Sequence, residues 1–212
     1  MTGLRERKKQ QTRDLIAKTA RDLFSKRGFE AVTVAEIARA ADVSEKTVFN
    51  YFPTKEELFY SRLEAFEEEL LAAIREREPG ESVLAAFGRF VLDPRGVFAM
   101  QSATDATERL RTINRVITES PALLARERQV FAQYTESLAA LLAEETGVDP
   151  DDVEPHVVAS ALLGIHRSLI EYVRRRVAAG AGVPELGPEL RRQGERALGL
   201  LERGLGEHGI KR

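Results

Sequence analysis

A chain of 212 residues, 43% hydrophobic and 31% charged, is long enough to bury a sizeable core and has the make-up of an ordinary globular protein. It contains no Cys, which excludes disulfides and thiolate metal sites, and none of His156, His166 and His208 stands at a metal-ligand spacing from another, so neither metal nor other cofactor is expected. The net charge of −2 divides unevenly, with eleven Lys/Arg against seven Asp/Glu in residues 1–54 (+4) and 21 against 27 in the rest (−6), the pattern of a polyanion-binding head on an acidic body.

The chain opens on a basic stretch, Arg5–Lys9, with no apolar run behind it. Its most apolar stretch, around residues 157–165, is far shorter than a membrane span. A cytoplasmic protein without a membrane partner is expected. Ile16, Ala20, Leu23 and Phe24 recur at helical spacing up to Gly28, which ends a first amphipathic helix. Thr33-Val34-Ala35-Glu36 reads as a capping box opening a short helix that carries Ile37, Ala38 and Ala41. Asp42-Val43-Ser44 turns the chain, Ser44 caps a third helix, and Pro53 stops it at Phe52. Thr54-Lys55-Glu56-Glu57 reads as a second capping box, opening a long helix to about Glu78. Breaks follow at Pro79-Gly80, Asp93-Pro94, Ser120-Pro121, Gly147–Pro150 and a loose stretch from Ala178 to Pro188. Ser120 before Pro121 suits an N-cap and first helical position, while the next helix is expected to begin at Pro155. No segment alternates as a strand does. The expected fold is all-α with about nine or ten helices: a three-helix helix-turn-helix head over residues 1–54 and a larger helical body over 55–212.

Two short helices joined by a tight turn and braced by a longer one present one helix to the DNA major groove. In the third helix Val48 and Phe52, four residues apart, form the inward stripe, which turns Lys46, Phe49 and Asn50 outward. Lys can donate to guanine, Asn can pair with adenine, and an aromatic edge can pack on a thymine methyl. The plain alternative is a solvated surface, with Phe49 folded into the head. Around this helix stand Thr33, Ser44, Thr47, Tyr51 and Lys55, hydroxyls and a cation at helix beginnings or flanks, where phosphates bind. The basic arm Arg5–Lys9 adds attraction that is independent of base sequence.

Thr33–Ala38, Ala41–Ser44 and Thr47–Leu58, with Tyr51-Phe52-Pro53 and the Gly28-Phe29 turn in register, closely resemble the TetR family signature over about residues 10–58. The resemblance implies phosphate contacts from Thr33, Thr47, Tyr51 and Lys55, and base-facing positions for Glu45, Lys46, Phe49 and Asn50. It implies a dimeric repressor that a small-molecule effector releases from a palindromic double-stranded operator. An activator using the same head is the alternative, and a helical interaction module that binds no DNA is a more distant one. The chain departs from the common pattern where Asp42 and Lys46 replace frequent glycines, Phe49 a frequent Tyr and Asn50 a frequent His. The operator sequence therefore does not carry over from relatives.

Past residue 60 the resemblance weakens and the body is read from its own residues. Phe87, Phe90, Phe98, Met100, Phe131 and Tyr134 are candidates for lining a largely apolar effector cavity, with His166 or Arg167 as polar anchor. Core packing is the commoner reason for such aromatics, and His166 suits a satisfied histidine at an interface better than a ligand contact. Arg109, Arg111 and Arg115 form either an anion-receiving cluster or a solvated face. The last two helices carry apolar stripes, and the family pairs through such helices, which places Leu162, Leu169, Tyr172, Leu198, Leu201 and Leu205 in a homodimer interface. An enzyme is not expected: there is no thiol, no Gly-rich phosphate loop, and no base partner for Ser120, Ser160 or Ser168.

Overall fold

The computed structural model describes residues 3–60, 63–149 and 151–204. Among them the elements in chain order are α1 (Leu4–Arg27), α2 (Val34–Ala40), α3 (Glu45–Tyr51), α4 (Lys55–Phe59), α5 (Leu63–Arg75) and α6 (Val83–Leu92). A 3-10 turn (Gly96–Ala99) precedes α7 (Ala103–Thr118), α8 (Pro121–Thr146), α9 (Val153–Ala178) and α10 (Val183–Arg203). The all-helical expectation holds for these residues, and no helix among them is long and apolar enough to cross a membrane. Contacts divide the chain into two units: Met1–Glu64 with Thr112–Arg128, and Ala65–Arg111 with Gln129–Arg212. The smaller unit extends beyond residue 54, because it takes in α4 and the adjoining ends of α7 and α8.

The smaller unit is built on Ile16, Ala20 and Phe24, one face of α1 at i, i+4, i+8, packed with Phe29, Val32, Ile37, Val48, Phe52 and Leu58. The α7–α8 junction closes this core with Val116, Ile117 and Leu123. Ser120 caps α8 as expected, its Oγ accepting from the Leu123 N–H at 3.2 Å while donating to Glu30 at 2.6 Å. Gly28, at φ 81, ends α1 in a conformation that a side chain would strain.

Three expected boundaries move. The helix opened by Thr54 does not run to Glu78; it stops at Phe59, and a separate α5 begins at Leu63. The stop has a tertiary cause. Phe59 packs against Phe24 and, edge-on, against Tyr60, whose hydroxyl donates to the Leu123 carbonyl at 3.2 Å and to Glu127 at 3.4 Å. These contacts tie the end of α4 into the smaller unit. α9 starts at Val153, two residues before Pro155, because Asp152 caps it through the Glu154 N–H and a proline in the first turn forfeits only an unpaired donor. The stretch expected to be loose is mostly helix: α9 continues to Ala178, Gly180 (φ 93) turns the chain, and α10 runs from Val183 with Pro188 inside it.

In the larger unit α6 and α10 exchange glycines. Leu198 of α10 lies against Gly88, and Leu92 of α6 stands where a side chain on Gly194 would begin. This close approach explains two glycines in helix interiors, where they otherwise cost about 1 kcal/mol each relative to Ala. A second cluster joins Leu110, Val177, Ala181 and Leu186 with Phe98, Val173 and Val183.

Candidate nucleic-acid interface

The local chemistry of α2 and α3 fixes what they display. The capping box at Thr33 is complete: its Oγ1 accepts from the Glu36 N–H, and Glu36 accepts from the Thr33 N–H at 2.8 Å. That backbone donor, then Arg27 at 2.7 Å and the Thr33 hydroxyl, hold the Glu36 carboxyl down to about 2. Asp42 occupies the turn at φ 53, the left-handed region that suits the glycine common in relatives. Ser44 caps α3 by accepting from the Thr47 N–H at 3.0 Å, and the two hydroxyl oxygens stand 2.8 Å apart. One of their two hydroxyl protons closes this pair, leaving the other for an outside acceptor.

With Val48 and Phe52 buried, α3 presents Glu45, Lys46, Phe49 and Asn50 to solvent, with Thr47 and Tyr51 half-buried beside them. Phe49 is 46% exposed, so it is not folded into the head. An exposed aromatic between Lys and Asn on one short helix can meet base edges. Lys55 behaves differently. Its ammonium lies 4.2 Å from the centre of the Phe29 ring, half-buried, and burial lowers its pKa, so its charge is turned toward the core rings. The basic stretch expected as an arm is part of α1, and its Lys8 and Lys9 are exposed.

In the larger unit four of the seven expected cavity residues come together, joined by one that sequence reasoning missed. Phe66 stacks on His166 at 4.7 Å and on Tyr134 at 5.5 Å, and meets Phe90 edge-on at 5.3 Å. Phe131 completes the group at 5.6 Å from His166. Burial, then the charge of Arg95, push the His166 pKa down to about 4, so the imidazole is neutral at ordinary pH. Its Nδ1 is shut off from solvent with no hydrogen-bond partner among the described residues. Of the remaining three, Phe98 belongs to the Leu110 cluster, Phe87 is wholly buried, and Met100 is half-buried beyond the 3-10 turn. Arg167 is exposed and is no internal anchor. The three arginines of α7 do not form one cluster: Arg111 donates to the Gly180 carbonyl, Arg115 to the Ser25 carbonyl, and Arg109 is exposed.

Most of the expected interface residues face their own chain. Leu162 and Leu169 are 2% and 6% exposed, Leu198 packs on Gly88, and Tyr172 donates to Glu189 at 2.9 Å. Leu201 lies half-buried on the Gly194 stripe of α10, and Leu205 falls outside the described residues. An apolar stripe marks a buried face without saying whose atoms bury it. The outward face of α9 is exposed, with Val153 and Val157 at 71% and 58% followed by the small residues Ser160, Gly164 and Ser168.

Residues 16–61 match the pattern described as bacterial regulatory proteins, tetR family, and residues 82–204 match the MftR C-terminal domain. The chain is 32% identical over 169 residues to the HTH-type transcriptional regulator TcmR of Streptomyces glaucescens, covering 78% of this chain and 74% of that protein. It is 28% identical over 173 residues to the putative mycofactocin biosynthesis transcriptional regulator MftR of Mycobacterium tuberculosis, covering 78% and 81%. Among solved structures, native NalD, the secondary repressor of the MexAB-OprM multidrug efflux pump in Pseudomonas aeruginosa, superposes with a TM-score of 0.55 at 20% identity, covering 89% of this chain and 97% of that one.

Proposed function

Because this chain belongs to the TetR family of bacterial regulatory proteins, we propose that it acts in the cytoplasm as a homodimeric repressor, released from a palindromic operator by a small molecule held in its larger unit. It is a DNA-binding transcriptional regulator and not an enzyme. The observation that carries the reading is the outer face of α3, which exposes Lys46, Phe49 and Asn50 above a core anchored by Val48 and Phe52. In this reading Lys46 and Asn50 bond base edges and Phe49 packs on a thymine methyl. Thr33, Ser44, Thr47 and Tyr51 hold the phosphate backbone. Glu45 accepts only from cytosine, since elsewhere it repels phosphate. Lys55 joins the contacts only by leaving the Phe29 ring.

Pairing rests on the outward face of α9, where Val153, Val157 and the small residues Ser160 and Gly164 leave room for a partner helix. Two heads on one dimer double the readout and match a two-fold operator. For release, α7 and α8 are the elements through which binding in one unit bears on the other, because each contributes residues to both. The effector shifts DNA affinity only by the difference in its binding to the two states. The activator alternative uses the same head, and no feature of this chain favours it.

Titration of the purified protein with DNA from upstream of its own reading frame tests the proposal. Affinity is expected to fall steeply with salt, to prefer a palindrome over scrambled DNA, and to drop when effector is added. Equal affinity for scrambled DNA at moderate salt would overturn it.

A further inference from the structure

Within the smaller unit, Glu30 links the α7–α8 junction to Lys55. It lies in the turn between α1 and α2, directly after Phe29, whose ring carries the Lys55 ammonium at 4.2 Å. Its carboxylate accepts from the Ser120 hydroxyl at 2.6 Å and bonds no other described residue. Ser120, 1% exposed, stands between α7 and α8 and caps the second of them. A hydroxyl-to-carboxylate bond of that length is a strong one, so it fixes where the Glu30 charge stands. The same junction holds the end of α1, since Arg115 of α7 donates to the Ser25 carbonyl at 2.9 Å. Lys55 forms no ion pair with a described residue; its ammonium rests on the rings of Phe29 and Phe24. Burial lowers its pKa, and among the carboxylates that oppose this Glu30 leads, ahead of Glu56 and Glu36. A half-buried cation thus stands in the field of a carboxylate that the N-cap serine of α8 holds aside.

We propose that Glu30 sets whether Lys55 reaches a DNA phosphate, and that Ser120 sets the position of Glu30. With the Ser120 bond in place the carboxylate is engaged, and Lys55 gives up only a ring contact to meet phosphate. With that bond broken the carboxylate turns to its nearest cation, pairs with Lys55 and withholds it from DNA. α7 and α8 each contribute residues to both units, so a shift of their junction is the event that breaks the bond. This deepens the ligand-released reading and rests on it for the cause of that shift. Glu30 touches no DNA in this scheme; it is a positioning residue that acts through Lys55.

Anisotropy titrations of the intact protein test the switch, with a labelled duplex from upstream of its own reading frame and a range of salt. Ser120→Ala frees the carboxylate and is expected to weaken binding about two- to fivefold per head, the effect of one partly exposed ion pair. Its salt slope should become shallower by about one per head, as one phosphate contact is lost. Ser120→Ala also removes a helix cap, so the deciding form is the double variant with Glu30→Gln, which is expected to regain wild-type affinity. A double variant as weak as Ser120→Ala overturns the inference, because the loss then comes from damage to α8. Glu30→Gln alone keeps an acceptor for Ser120 without the charge and is expected to bind about twofold tighter per head. That gain is expected to vanish in a Lys55→Ala background; a gain that persists there is direct repulsion between Glu30 and phosphate and overturns the inference. A wild type that binds this duplex no better than a scrambled one fails the parent reading. A selective wild type whose Glu30→Gln form binds no tighter fails this inference alone.

Discussion

Asn50 and Lys46 stand where a side chain can be removed without touching the core, so their substitution isolates recognition from stability. Asn50→Ala and Lys46→Ala are each expected to weaken operator binding by about 1–3 kcal/mol with an unchanged melting temperature. Anisotropy titrations over a range of salt check this and also sort the two roles. A lost base contact leaves the salt slope in place, while a lost phosphate contact lowers it by about one. Asp42 offers a different test, because its φ of 53 is a conformation that glycine adopts without steric cost. Asp42→Gly removes that strain but adds freedom to the unfolded chain, and a net gain of roughly 0.5 kcal/mol is expected in denaturant melts. At His166 the folded pKa of about 4 lies below the unfolded value of 6.5. Between these values only the unfolded chain takes up the proton, so stability falls as pH drops through that window and is unaffected above it. The slope reaches at most about 1.4 kcal/mol per pH unit. Urea midpoints of the wild type and His166→Phe, compared from pH 7 to 4, are expected to diverge in the acid; parallel curves would sink the buried neutral imidazole. The α3 assignments were legible because the inward pair Val48 and Phe52 dictates what turns outward. Phe66 was not, since nothing in its neighbourhood separates a ring that meets His166 from one that merely fills the core.

At the scale of elements, the α6–α10 contact depends on the absence of side chains at Gly88 and Gly194. Gly194→Val places a branched side chain on Leu92, and overpacking of this kind costs on the order of 1–3 kcal/mol. Trimming the obstacle in the double variant Gly194→Val with Leu92→Ala is expected to recover part of that loss, so the two changes are non-additive in thermal melts. Strict additivity would mean that the helices do not meet there. The same contact gives Leu198 a partner within its own chain that the stripe alone does not reveal. A stripe of leucines gives the buried side of a helix, but a glycine on a neighbouring helix, far away in sequence, decides that the partner lies in the same chain. Capping signals that act over three residues, at Thr33, Ser44 and Ser120, were readable from the sequence. The stop at Phe59 was not, because it depends on Tyr60 reaching a carbonyl on α8 sixty-three residues away.

The whole molecule must pair if a seven-residue helix is to read enough of an operator, and the pairing surface has a testable location. Val157 sits on the outward face of α9, 58% exposed, with Val153 one turn before it and the small residues Ser160 and Gly164 after it. Val157→Arg places a long cation there. In a lone chain the change is surface chemistry, worth within about 0.5 kcal/mol. In a dimer the two-fold axis brings two such cations against one another in an apolar seam, where unpaired charge costs several kcal/mol. The variant is therefore expected to sediment as a folded monomer at concentrations where the wild type is a dimer, with an unchanged helical spectrum. Its affinity for a palindromic operator should fall to that for an isolated half-site, while contacts within each half-site survive. A variant that remains dimeric would move the interface off this face of α9, and one that becomes monomeric yet keeps full operator affinity would separate pairing from recognition.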